Sequence, residues 1–96
     1  MRARREPSHP GGILKRLYLE PLELTVSGLA KALGTSRKTV SKLVNEQSSL
    51  TPMMALRLSR AFNTTPQLWL NMQQNHDLWC AERRSKALNR VRRIAV

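Results

Sequence analysis

The sequence predicts an all-α domain of five helices. Three observations predict it: apolar residues recur at i, i+3 and i+4 from about Pro10 to Leu78, the breaks in that pattern carry helix caps, and no stretch alternates as a strand would. A chain of 96 residues builds one domain with a single modest core, which excludes a two-domain enzyme. Leu, Ile, Val and Phe number 23, above the roughly 20% level below which a high net charge goes with disorder. The chain is therefore expected to fold.

The first helix is expected from about Pro10 to Leu19. Proline suits a first helical turn, Ile13, Leu14, Leu17 and Tyr18 form one apolar stripe, and Pro21 stops the helix. The second follows the N-cap Thr25, buries Leu29, Ala30 and Leu33, and ends at Gly34, where glycine accepts a left-handed cap. Ser36 caps the third. Its buried face is Val40, Leu43 and Val44, which leaves Arg37, Lys38, Thr39, Ser41, Lys42 and Asn45 outside.

Thr51-Pro52 and Thr65-Pro66 repeat one start signal, a hydroxyl N-cap followed by proline at the first helical position. The fourth helix is expected to bury Met53 or Met54 together with Ala55, Leu56, Ala61 and Phe62. The fifth carries Leu68, Trp69, Leu70, Met72, Leu78 and Trp79. Here Trp69, close to Phe62 and Leu68, is expected to close the core, while Leu70, Met72 and Trp79 form a dimer interface. An extra C-terminal helix through Leu88 and Val91 is open but weakly patterned. The chain thus divides into a basic, flexible lead at 1–8, a helical domain at 9–82 and a basic tail at 83–96.

Seventeen Lys and Arg stand against six Asp and Glu, a net charge of +11 that calls for a polyanionic partner. The charge is unevenly placed: between residues 25 and 70 the only acid is Glu46. Helices two and three, joined by Gly34 and Thr35, carry the helix-turn-helix signature, in which the second helix exposes long polar side chains at its N-terminal end to reach base edges. Arg37, Lys38 and Lys42 fit that role, since Arg or Lys against guanine O6 and N7 is the commonest specific base contact. Helix N-termini also hold phosphates, which makes Thr25, Ser27, Ser36, Thr39 and Ser41 candidates for the DNA backbone. A merely solvated face would mix its charges, whereas Lys31, Arg37, Lys38 and Lys42 meet no acid before Glu46. An RNA-binding protein is the rival class, but single-stranded RNA favours exposed aromatics, and none stands on helix three.

His9-Pro10-Gly11, Ala55-Leu56-Arg57-Leu58 and Trp69-Leu70-Asn71-Met72-Gln73, around LAKALGTSRKTVSKLVN, resemble the HigA family of antitoxins over about residues 9 to 84. The resemblance implies a phage-repressor-like helix-turn-helix fold. It also implies a homodimer on a palindromic operator in its own promoter, and a partner, HigB, a small ribosome-dependent mRNA-cleaving toxin. Position by position it puts base contacts on Arg37, Lys38 and Lys42 and a backbone contact on Asn45. Two residues depart from the family pattern: Glu46, where glycine commonly takes a left-handed turn, and Gly28, where a good helix former is usual. A free-standing repressor without a toxin is the alternative, and no residue marks a toxin-facing surface.

Other chemistry is thin. His76 and Cys80, four residues apart on one helical face, are two donors where structural zinc takes four, so no metal is expected. No cofactor is expected either, and no Cys-His pairing with an orienting acid, paired carboxylates or glycine-rich phosphate loop suggests an enzyme. The single cysteine and the absence of a signal-like or membrane-spanning apolar run fit a cytoplasmic, nucleoid-associated protein. The basic residues of the ends (Arg2, Arg4, Arg5, Arg83, Arg84, Lys86, Arg90, Arg92 and Arg93) read equally as arms along the DNA backbone or as solubilising ends.

Overall fold

The computed structural model describes residues 6–95, so Arg2, Arg4 and Arg5 lie outside it. Helix α1 (Pro10–Leu14) runs without a break into a π-helical segment (Lys15–Leu19), and α2 (Val26–Leu33), α3 (Arg37–Val44), α4 (Pro52–Phe62) and α5 (Pro66–Arg84) follow. A 3-10 segment (Lys86–Arg90) ends the described helical structure, and no strand occurs among the described residues. The all-α, five-helix expectation holds.

Each start is fixed by its cap. The side chains of Thr25, Ser36, Thr51 and Thr65 each accept a hydrogen bond from the backbone N–H three residues on, satisfying one of the donors a helix start leaves unpaired. For α1 the cap is His9, whose Nδ1 accepts from the Gly11 N–H at 2.9 Å. The ends are as regular. Gly34, Glu46 and Asn63 all take left-handed backbone after α2, α3 and α4. Glu46 resolves one departure from the family pattern, because a residue with a side chain closes the same motif glycine would. Its N–H donates to the Leu43 carbonyl at 3.0 Å, and the Gln47 N–H donates to that of Lys42 at 2.8 Å.

Three expectations about buried faces need correction. Leu17 is 62% exposed whereas Leu19 is buried. The reason is the π-helical turn, seen in the Glu20 N–H donating to the Lys15 carbonyl five residues back. A wider turn advances each side chain by less than 100°, so residues beyond Leu14 fall out of α-helical phase. In α4 the buried stripe is Met54, Ala55, Leu58 and Ser59 with Phe62 half-buried, so Leu56 and Ala61 face outward. Ser59 occupies a core position because its hydroxyl donates to the Leu56 carbonyl at 2.7 Å. Finally, Leu88 and Val91 are 53% and 72% exposed and stand outside the core, and α5 itself extends through Arg83 and Arg84. The expected extra helix reduces to the 3-10 turn.

Trp69 closes the core as expected. It is fully buried, its indole N–H donates to the Thr64 hydroxyl at 2.8 Å, and Tyr18 bridges its ring to that of Phe62.

Candidate nucleic-acid interface

The interface is held by backbone contacts on its rear. Arg57 of α4 extends Nη1 to the carbonyls of Leu33 at 2.6 Å and Gly34 at 3.2 Å, so one guanidinium ties α4 to the last residue of α2 and the first of the turn. Gln73 of α5 accepts the Leu50 N–H at 2.8 Å and donates to Asp77 at 2.9 Å, anchoring the segment that leaves α3. At Gly11 a Cβ would come within 2.8 Å of the Leu43 carbonyl carbon and closer still to its oxygen. The α1 backbone therefore packs directly on the end of α3. Sequence reasoning gave Arg57 and Gln73 no role, although both stand in motifs carrying the family resemblance; nothing local marks them, because each acts across more than twenty residues.

On the outer side, Arg37, Lys38 and Lys42 are exposed on α3. Neither Lys38 nor Lys42 has an ion-pair partner among the described residues, while Arg37 donates to the Ser27 hydroxyl at 3.4 Å. That contact reaches from α3 to the first turn of α2, so two candidates meet where the two helices converge. Ser36 and Thr39 share a 2.8 Å hydroxyl contact, and Thr25 accepts from the Gly28 N–H at 2.9 Å. The Thr25 hydroxyl, which accepts as a cap, keeps its own hydrogen to donate outward, and of the Ser36 and Thr39 pair one hydroxyl hydrogen is spent between them and one remains. Asn45 ends α3 with its side chain turned back on the half-buried Ser41 at 3.4 Å. Gly28, the other departure, lies where a Cβ would press on Leu24 and Thr25 at 3.1 and 3.2 Å, so glycine keeps the α2 cap compact.

The residues expected at a dimer interface are not brought together on one face. Met72 and Trp79, seven residues apart, share a flank of α5, but Leu70 lies nine residues before Trp79, two and a half turns, and projects from the opposite flank beside Leu78 and Ala81. Trp79 is also covered in part by the Arg83 guanidinium, 4.6 Å above its ring.

Behind this frame, His9 is buried and burial pushes its pKa below the usual histidine value, with His76 adding to the effect and Glu46 opposing it. Protonation would also remove the lone pair that accepts from Gly11. A depressed histidine pKa means the unfolded chain binds the proton first. Stability is therefore full above about pH 6.5 and falls as pH drops from there to the folded pKa, by no more than about 1.4 kcal/mol per pH unit. Urea midpoints between pH 8 and 5 should show this slope. His9→Asn, which keeps a cap without a titrating ring, should flatten it; an unchanged slope would assign the effect elsewhere.

Two short helices locked at a turn from behind, with unpaired cations on the outer face of the second, define a helix-turn-helix DNA-binding domain. The helix-turn-helix family model matches residues 15–69. The HTH-type transcriptional regulator YbaQ of Escherichia coli strain K12 is 44% identical over 97% of this chain and 85% of its own. Antitoxin HigA-1 of Vibrio cholerae is 42% identical over 81% of this chain and 73% of its own. The solved structure of antitoxin GraA in complex with its operator superposes with a TM-score of 0.90 at 34% identity, covering all of this chain and 99% of that one. The chain belongs to the HigA family of helix-turn-helix antitoxins.

Proposed function

We propose that this protein binds operator DNA in its own promoter as a two-fold dimer, represses that promoter, and neutralises a HigB-like mRNA-cleaving toxin. The observation that carries the DNA reading is the cationic outer face of α3, where Lys38 and Lys42 have no ion-pair partner among the described residues and the contacts of Arg57 and Gln73 behind it draw on neither. The operator complex of GraA supports it, and the HigA-1 relative supports the antitoxin role. In this reading Arg37, Lys38 and Lys42 contact bases, while Thr25, Ser27, Ser36, Thr39, Ser41 and Asn45 contact phosphates. The dimer forms on the solvent side of α5, where a partner lying over Leu78 reaches Leu70 on one flank and Met72 and Trp79 on the other. The protein acts at the nucleoid in the cytoplasm, in keeping with the lack of any membrane-spanning helix among the described residues.

The test is a titration of the protein on its own upstream DNA and on a shuffled duplex. Lys42→Ala or Arg37→Ala should cost about 1 to 3 kcal/mol on the operator and far less on the shuffled duplex, as a broken base contact does. Equal losses on both would reassign these residues to phosphates, and equal wild-type affinity for both duplexes would defeat the repressor reading.

A further inference from the structure

We propose that Glu6, His76 and Cys80 form a zinc site. The sequence offers two donors four residues apart on α5, and the fold brings a third from the segment ahead of α1, so that one ligand atom from each lies within 4.8 Å of the others. The imidazole is oriented for the task. His76 Nδ1 is 2.9 Å from the Pro7 carbonyl oxygen, which can only accept, so Nδ1 of the neutral ring carries the hydrogen. The lone pair is then on Nε2, which faces Cys80 Sγ at 3.6 Å. Zinc bound tetrahedrally at about 2.0 Å from nitrogen and 2.3 Å from sulfur needs those atoms about 3.5 Å apart, close to the separation found. A backbone carbonyl holding the distal ring nitrogen is also the usual support of a metal-ligating histidine.

Glu6 stands with Oε2 3.9 Å from His76 Nδ1, on the edge of the ring that Pro7 holds, so to ligate an ion at Nε2 its 55% exposed side chain has to turn toward Cys80. The His9 ring, edge-on at 5.1 Å, restrains His76 from the other side. His76 and Cys80 also line an open cleft of about 330 Å3 between α5 and the segment after α3, which gives a water access to the fourth coordination position. Sulfur, nitrogen and carboxylate donors together favour zinc over magnesium or calcium. On binding, the Cys80 thiol gives its proton to solvent and coordinates as the thiolate. The ion would fasten the residues that follow Arg2, Arg4 and Arg5 to α5.

The experiment is titration of the reduced full-length chain with cobalt(II), followed by displacement with zinc. One cobalt per chain is expected, with a near-ultraviolet thiolate-to-metal absorption band that zinc abolishes. Cys80→Ser should eliminate the band and weaken zinc binding at least tenfold, as should His76→Gln. Glu6→Gln should weaken zinc binding about tenfold, and because Glu6 is an exposed side chain, the metal-free melting temperature should not move. A cobalt complex lacking the band, zinc affinity unchanged in Cys80→Ser, or zinc affinity unchanged in Glu6→Gln would each overturn the site.

Discussion

Gly11→Ala should destabilise the protein by about 3 kcal/mol, because the added methyl lands on a backbone carbonyl that cannot rotate away. Room can be made only by moving α1 off α3, which also displaces the His9 cap and the end of the recognition helix. Gly12→Ala is the control. Its Cβ would meet the Glu46 carboxylate at 2.6 Å and the Arg16 guanidinium at 2.9 Å, the ends of two flexible side chains free to swing aside. Alanine also gains up to about 1 kcal/mol of helix propensity over glycine. Chemical denaturation of the two variants should therefore separate them by several kcal/mol in stability. Similar midpoints would mean that α1 does not lean on the Leu43 carbonyl.

Arg57→Met should cost about 2 to 3 kcal/mol, the range of hydrogen bonds made by a charged group. Methionine keeps the half-buried stem but leaves the Leu33 and Gly34 carbonyls without their donor. The loss should reach DNA binding. With the turn untied, α3 samples other angles against α2, and operator affinity should fall even at temperatures where the helices remain formed. Arg57→Lys should recover only part of it, since the lysine stem is shorter and must bring its ammonium to where Nη1 stands to reach both carbonyls. Far-ultraviolet circular dichroism and an operator titration on the same samples would check this. Full operator affinity in folded Arg57→Met would mean that α2 and α3 hold their angle by apolar packing alone.

What was legible in the sequence is what is local. The four hydroxyl caps, the glycine after α2 and the cationic outer face of α3 each depend on residues within a few positions of one another. An α-helical phase puts Leu17 on the buried stripe, but a single widened turn shifts everything behind it and buries Leu19 instead. Hydrophobicity alone favours Leu56 over Leu58, because Ser59, a polar residue in a core position, obscures the stripe to which Leu58 belongs. Arg57, Gln73 and the approach of Glu6 to His76 were out of reach for a different reason. Each joins parts of the chain separated by 23 or more residues, and only the folded path brings them together. The dimer residues were grouped by hydrophobicity and not by helical angle, which hid their division between two flanks of α5.

The rear support of the helix pair consists of the Arg57 guanidinium, the Gln73 amide, backbone carbonyls and apolar side chains, and it draws on none of the side chains that face outward at Lys38 and Lys42. If Lys38 and Lys42 read bases as proposed, structure and address are written in separate residues of one eight-residue helix. Such a helix is exchangeable: duplicated genes can drift to new operators by changing a few outward letters, while the scaffold keeps its stability throughout. Related regulators in one cell could by the same route keep their promoters apart without ever redesigning the domain that carries them.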